Sequence, residues 1–269
     1  MLRQRLLTAA ILIPLVLAAI YFLPLFYFFL MGCGIVALAA WEWCSLADFK
    51  STKIKIAYVL LTLLLCAVSW DLPFELFTFG GALLWIAFII ALYRYPKGCV
   101  FWKQQPLLRG FVALFALIAF LASLMLLKEA TPTLIFLLLA IVWIMDSAAY
   151  FAGRLWGKRP LASQISPKKT IEGLLGALLV VMVLSLPLVL WVNPYKQAPW
   201  AWLLLILITA VVSVLGDLVE SMAKRIYAVK DSGHLLPGHG GILDRIDSLL
   251  AATVCFALGQ SVILYAVTI

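Results

Sequence analysis

The sequence predicts an all-α fold, a polytopic transmembrane helix bundle of about nine spans with its N-terminus in the cytoplasm. Three observations predict it. Of 269 residues, 66% are apolar and 12% charged, where an ordinary soluble domain carries about 25% charged residues. The apolar residues form continuous runs rather than amphipathic stripes. Lys and Arg collect on alternate sides of those runs, as positive-inside anchoring requires. No soluble globule hides so much apolar surface, so lipid is the solvent for most of the chain.

With about 20 apolar residues to a crossing, spans fall near 6–22, 25–46, 56–70, 74–93, 109–127, 132–152, 171–192, 200–221 and 246–267. The basic start followed by an apolar run resembles a secretion signal. Its apolar character continues past any cleavage point, which makes it an uncleaved first helix. Pro24 divides the first two spans, Asp71-Leu72-Pro73 the third and fourth, and Asn193-Pro194 closes the seventh. The third span is the shortest of the set.

Placing the N-terminus in the cytoplasm puts 18 of the 20 Lys and Arg on that side and leaves Lys128 and Lys196 on the other. The loops 94–108, 153–170 and 222–245 then face the cytoplasm, and a bacterial inner membrane is the expected location. Residues 1–269 read as a single integral membrane domain, with 1–130 mainly scaffold and 131–269 carrying catalytic spans and loops. The net charge of +8 comes from short clusters between apolar runs, which argues against nucleic acid as a partner. The five cysteines show no metal-type spacing, so neither disulfides nor zinc are implied.

An ionised side chain at bilayer depth costs from about 2.5 to more than 10 kcal/mol, so such residues face a cavity or a partner. In the first five spans Glu42 is the exception to a general lack of charge. Later come Asp146, then Asp217 with Glu220, then Asp244 with Asp247. Asp217, Glu220 and Lys224 share one helical stripe at i, i+3 and i+7, and Asp244 and Asp247 share a face at i, i+3. Converging at helix ends, these oxygens suit a hard cation such as Mg2+. The alternative is salt bridging to Lys224, Arg225 and Arg245.

Basic residues follow the acids. Ser166-Pro167-Lys168-Lys169-Thr170 leads into a helix, whose free N–H groups and dipole attract phosphate. Positive-inside anchoring with a cap by Thr170 is the competing explanation. A Walker A motif fails, because its glycines and preceding strand are missing. In the loop 231–244, Gly238, Gly240 and Gly241 permit close approach to a ligand. His234 and His239 are not spaced as a helical zinc site, and His239 is the better candidate for a ligand contact.

Residues 221–247 read SMAKRIYAVKDSGHLLPGHGGILDRID. This closely resembles the signature of the phosphatidate cytidylyltransferases, or CDP-diacylglycerol synthases: Ser, Lys-Arg, Lys-Asp, Pro-x-His-Gly-Gly and Asp-Arg-x-Asp. Asp146-Ser-Ala-Ala-Tyr150 with Gly153-Arg154, and Ser166 through Gly173, are similar to the accompanying motifs. Ala223 departs from the pattern, where a larger apolar residue is expected. The resemblance implies that CTP and phosphatidate give CDP-diacylglycerol and pyrophosphate, with Mg2+ required. It implies metal on Asp217 and Asp244, with Glu220, Asp247 and Asp146 as further ligands. Lys168, Lys224 and Arg225 are then catalytic phosphate clamps. Lys168, Lys169, Thr170, His239, Gly240, Gly241 and Arg245 are the expected nucleotide contacts, and a homodimer is compatible with the sequence. The rival readings are a CTP-dependent lipid kinase, which would need a base for a lipid alcohol, and a cation-coupled transporter, which would place its charges near mid-membrane.

Overall fold

The computed structural model describes residues 2–49, 51–97, 102, 104–192, 198–227, 229, 232–233 and 240–268. Nine helices stand among them: α1 (Leu2–Phe22), α2 (Leu25–Leu46), α3 (Thr52–Trp70), α4 (Phe74–Tyr93), α5 (Pro106–Ala130), α6 (Pro132–Trp156), α7 (Ile171–Val192), α8 (Pro199–Ile226) and α9 (Leu243–Thr268). Seven of these, α2 to α6 with α8 and α9, are long and apolar enough to cross a membrane, and the chain is a multi-pass membrane protein.

Two expectations need correction. The third helix starts at Thr52 rather than near 56, because Lys55 is accommodated in its first turn. Its ammonium donates to Ser45 Oγ at 2.8 Å and lies over the Trp41 ring, so the charge stays at the boundary while the helix begins. The segment 153–170 is also no simple loop. After α6 it forms an antiparallel hairpin, β1 (Pro160–Ala162) with β2 (Ser166–Thr170), the one departure from an all-helical fold among the described residues.

Side-chain contacts fix which helix ends meet. At one end, α2 finishes beside the starts of α3, α5 and α9 and the finish of α8. Tyr58 donates to the Gly110 carbonyl at 2.7 Å, and Arg109 donates to the Ala47 carbonyl and stacks on Tyr227. At the other end Trp70 finishes α3 against Phe29 of α2 and Phe74 of α4. Successive helices therefore alternate in direction.

α5 lies in the middle, with Leu121, Ala122, Met125 and Leu127 fully enclosed. By contrast α3 and α4 turn Leu60, Leu64, Leu76, Phe79, Leu83 and Ile86 outward, a surface that only lipid can cover. Between helices in lipid there is little hydrophobic drive, so close packing and polar contacts hold the bundle. Thr78 Oγ1 and Ser123 Oγ meet at 3.0 Å between α4 and α5, and Trp202 packs on Phe256 between α8 and α9.

Candidate active site

α8 runs on past the expected limit to Ile226, so Lys224 and Arg225 belong to its last turn. There the carboxylates that precede them offset their charge, and cations suit the negative end of the helix dipole. Lys224 ion-pairs with Glu220 one turn back and donates to Asp244 Oδ1 of α9 at 3.0 Å. Asp244 also accepts the backbone N–H of Gly241 at 2.9 Å and that of Ser232 at 3.1 Å to the same oxygen. Its second oxygen takes Lys224, with the Ser232 N–H at 3.2 Å.

One turn deeper along α8, Asp217 accepts from Lys169 Nζ at 2.5 Å and from Ser221 Oγ at 3.2 Å. Lys169 comes from β2. Paired residues on β2 are spaced more widely than on β1, a bulge across Pro167, Lys168 and Lys169, and bulges re-aim side chains. Here the bulge leaves Lys168 exposed and turns Lys169 inward. The two lysines, equivalent by sequence, are therefore separated by structure.

The hairpin is fastened at both ends. Glu172 accepts the N–H groups of Lys158 and Arg159 and the Arg159 guanidinium. At the turn, Arg225 Nε donates to the Ile165 carbonyl at 3.0 Å. Thr170 caps α7, its Oγ1 accepting from Gly173 N–H at 3.1 Å. Thr170 is thus a helix cap, as one explanation of this segment expects, and Lys169 faces the acidic cluster.

Asp146 lies within Coulombic range of Lys169 and Asp217, and Asp247 within range of Asp217, Lys224 and Lys169. Glu220 in turn feels Asp247 and Asp244. All five candidate carboxylates thus gather at the end where the basic hairpin sits. The Asp217 side chain is 25% accessible, Asp244 10% and Glu220 5%, so Glu220 is the most enclosed of the three carboxylates in this acidic cleft between α8, α9 and the hairpin. Glu220 also lines an apolar cavity of about 360 Å³, together with Trp43, Trp85, Phe88, Arg94 and Tyr95.

Five carboxylates against two half-buried lysines leave an excess of negative charge at this end of the bundle, which calls for further cations. The donors are all oxygen, as a hard divalent ion prefers. Glu220 touches Lys224 yet has no hydrogen bond of good geometry to either oxygen. The residues therefore fit Mg2+ in kind. In the arrangement seen, ammonium groups stand between the carboxylates, and among the described residues no three acidic, His or Cys side chains form a ready ligand set.

Gly240 and Gly241 border Asp244, whereas Arg245 is exposed on the first turn of α9. His234, His239, Gly238 and Cys99 lie outside the described residues. Sequence reasoning missed what Ser232 and Glu42 do. Ser232 sat in the quoted loop without a role, and Glu42 was visible as a lone charge in an apolar span with no clue to its partner.

The sequence pattern described as the Cytidylyltransferase family matches residues 3–262. A phosphatidate cytidylyltransferase of Haemophilus influenzae is 37% identical over 96% of this chain and 98% of its own length. One from Pseudomonas aeruginosa is 38% identical over 96% of both chains. One from Bacillus subtilis reaches 50% identity over 44% of each.

Proposed function

This chain belongs to the cytidylyltransferase family, and on that premise we propose that it joins CTP to phosphatidate, yielding CDP-diacylglycerol and pyrophosphate. The observation that carries this reading is the meeting of Asp217, Glu220 and Asp244 with Lys169 and Lys224 at one end of an apolar bundle, with Asp146 and Asp247 within Coulombic range. A phosphate oxygen of the lipid attacks the α-phosphorus of CTP, the bond to the β-phosphate breaks, and pyrophosphate leaves. The nucleophile is already ionised at neutral pH, so no general base is needed. What the site must supply is charge and in-line positioning.

Lys169 and Lys224 suit that task because each is held by carboxylates that it can release to phosphate. Lys168, Arg225 and Arg245 are the further phosphate contacts of this reading, and Thr170, His239, Gly240 and Gly241 its nucleotide contacts. Asp217 and Asp244, with Glu220, Asp247 and Asp146, would hold Mg2+. When bound, the ion neutralises the triphosphate and the charge growing on the leaving pyrophosphate. The apolar chamber beside Glu220 offers the acyl chains of the lipid a wall next to the acidic cleft. The 18-to-2 distribution of Lys and Arg supports a cytoplasmic cleft in a bacterial inner membrane.

Purified protein given labelled CTP and phosphatidate should release labelled CDP-diacylglycerol and unlabelled pyrophosphate when the label is on the α-phosphate. Transfer of a γ-phosphate label to diacylglycerol instead would establish a lipid kinase. A C-terminal reporter should fall on the side opposite the cleft.

A further inference from the structure

Glu42 lies on α2, in the half of the chain that carries none of the candidate site residues, and is 2% exposed. A buried carboxylate is expensive unless hydrogen-bonded. Its donors come from about 200 residues away. Oε1 accepts the Ile242 N–H at 2.9 Å, while Oε2 accepts the Leu243 N–H at 2.8 Å and the Ser232 hydroxyl at 3.3 Å. Ile242 and Leu243 open α9, so Glu42 takes up the free N–H groups of that helix from a different element, where a negative charge also complements the dipole.

The same residues hold Asp244. Ser232 gives its hydroxyl to Glu42 and its N–H to Asp244, and Gly241, next to Ile242, gives its N–H to Asp244. The fit leaves no room for a side chain at two glycines of this loop, Gly233 and Gly241. A Cβ on Gly241 would stand 2.4 Å from Glu42 Oε2, and one on Gly233 would stand 2.6 Å from Oε1. Glu42 thus ties Ser232 to the start of α9 on either side of Asp244, and through Asp244 bears on the position of Lys224.

We infer that Glu42 is a positioning residue for the transfer reaction, a strut from α2 that sets Ser232, Gly241 and the Asp244 carboxylate in place without touching substrate. Glu42→Gln keeps the shape, but one of its two oxygens becomes an amide that cannot accept the N–H groups of α9. The inference rests on Asp244 serving the reaction, so Asp244→Asn is run beside it.

Outer-sphere partners of this kind are worth on the order of 10- to 100-fold in activity or metal affinity. Glu42→Gln should lose kcat by that factor, need more Mg2+ for half-maximal rate, and lose the rise in Tm that CTP with Mg2+ gives the wild type. Its Tm without ligand should stay within a few degrees of wild type. If Glu42→Gln does not fold, Glu42→Asp, with the charge kept and the reach shortened, should show a smaller loss in the same three readouts. Wild-type kcat and a wild-type CTP-induced Tm shift in the folded variant would overturn the inference. So would a lowered ligand-free Tm with normal specific activity, which is the mark of a purely structural charge. Should Asp244→Asn remain fully active, the site reading itself fails. Should it be inactive while Glu42→Gln behaves as wild type, Glu42 alone loses its role.

Discussion

Lys128, at the end of the bundle away from the cleft, and Lys224, within the cleft, are both ammonium groups drawn into the protein, and they are satisfied in opposite ways. Lys128 donates to the Ile20 carbonyl in the last turn of α1 and lies over the Phe28 ring at 5.4 Å. Its partners are a neutral carbonyl and an aromatic face, neither of which can be exchanged for anything mobile. Lys224 sits between Glu220 and Asp244, carboxylates that outnumber the ammonium groups around them. A charge placed for structure is closed off by fixed dipoles. One placed for chemistry is held by partners that a cation or a phosphate can replace.

The comparison is broken most decisively at the carboxylates. Asp217→Asn and Asp244→Asn should each cut turnover by roughly 100-fold or more, the scale on which a transition-state charge partner is lost, with the bundle still folded. Turnover with labelled CTP across a Mg2+ titration checks this. Near wild-type rates with unchanged metal curves would reduce the cleft to a set of structural ion pairs. Next come the two lysines of β2. Lys169→Ala should lower turnover by about 10- to 100-fold, since it removes the ammonium that meets Asp217, while Lys168→Ala should cost less than about 10-fold. Equal losses would show that the hairpin acts by charge alone. The smallest effect is expected at the other end. Lys128→Met leaves the Ile20 carbonyl of α1 without its donor, at about 1 to 3 kcal/mol. It should lower Tm with turnover and metal dependence unchanged.

The helix positions and the acidic stripes were legible because hydropathy and the i, i+3 rule are local. Where charges are themselves paired, the same reading stopped short. Hydropathy ended the eighth span near 221, yet α8 continues through Lys224 because Glu220 and Asp244 neutralise it. α3 begins early because Lys55 reaches Ser45 and Trp41. The hairpin was hidden because Ser166-Pro167-Lys168-Lys169-Thr170 has little β character in isolation, and Pro160 opens β1. Asp217 and Asp244 were expected to act as a pair. Apart from the nearby Gly241 N–H on Asp244, their immediate neighbours, Lys169 for the first and Lys224 with the Ser232 N–H for the second, come from segments that no local rule links to them. Glu42 shows the limit most clearly: the charge was conspicuous, but a contact spanning some 200 residues has no trace in a single sequence.

The bulge in β2 makes the length of the chain between Ala162 and Ile171 a quantity that natural variation must respect. Pro160 pairs with Thr170 and Ala162 with Ser166, so the surplus residues sit between two pinned contacts, with Arg225 gripping the turn and Thr170 capping α7. Deleting one of them would have to be absorbed there, swapping which lysine points inward or pulling the cap off the helix. Chain length in this short hairpin is therefore under tighter constraint than the identity of its exposed side chains. An insertion of one residue at Lys168 should be worse tolerated than any substitution of it.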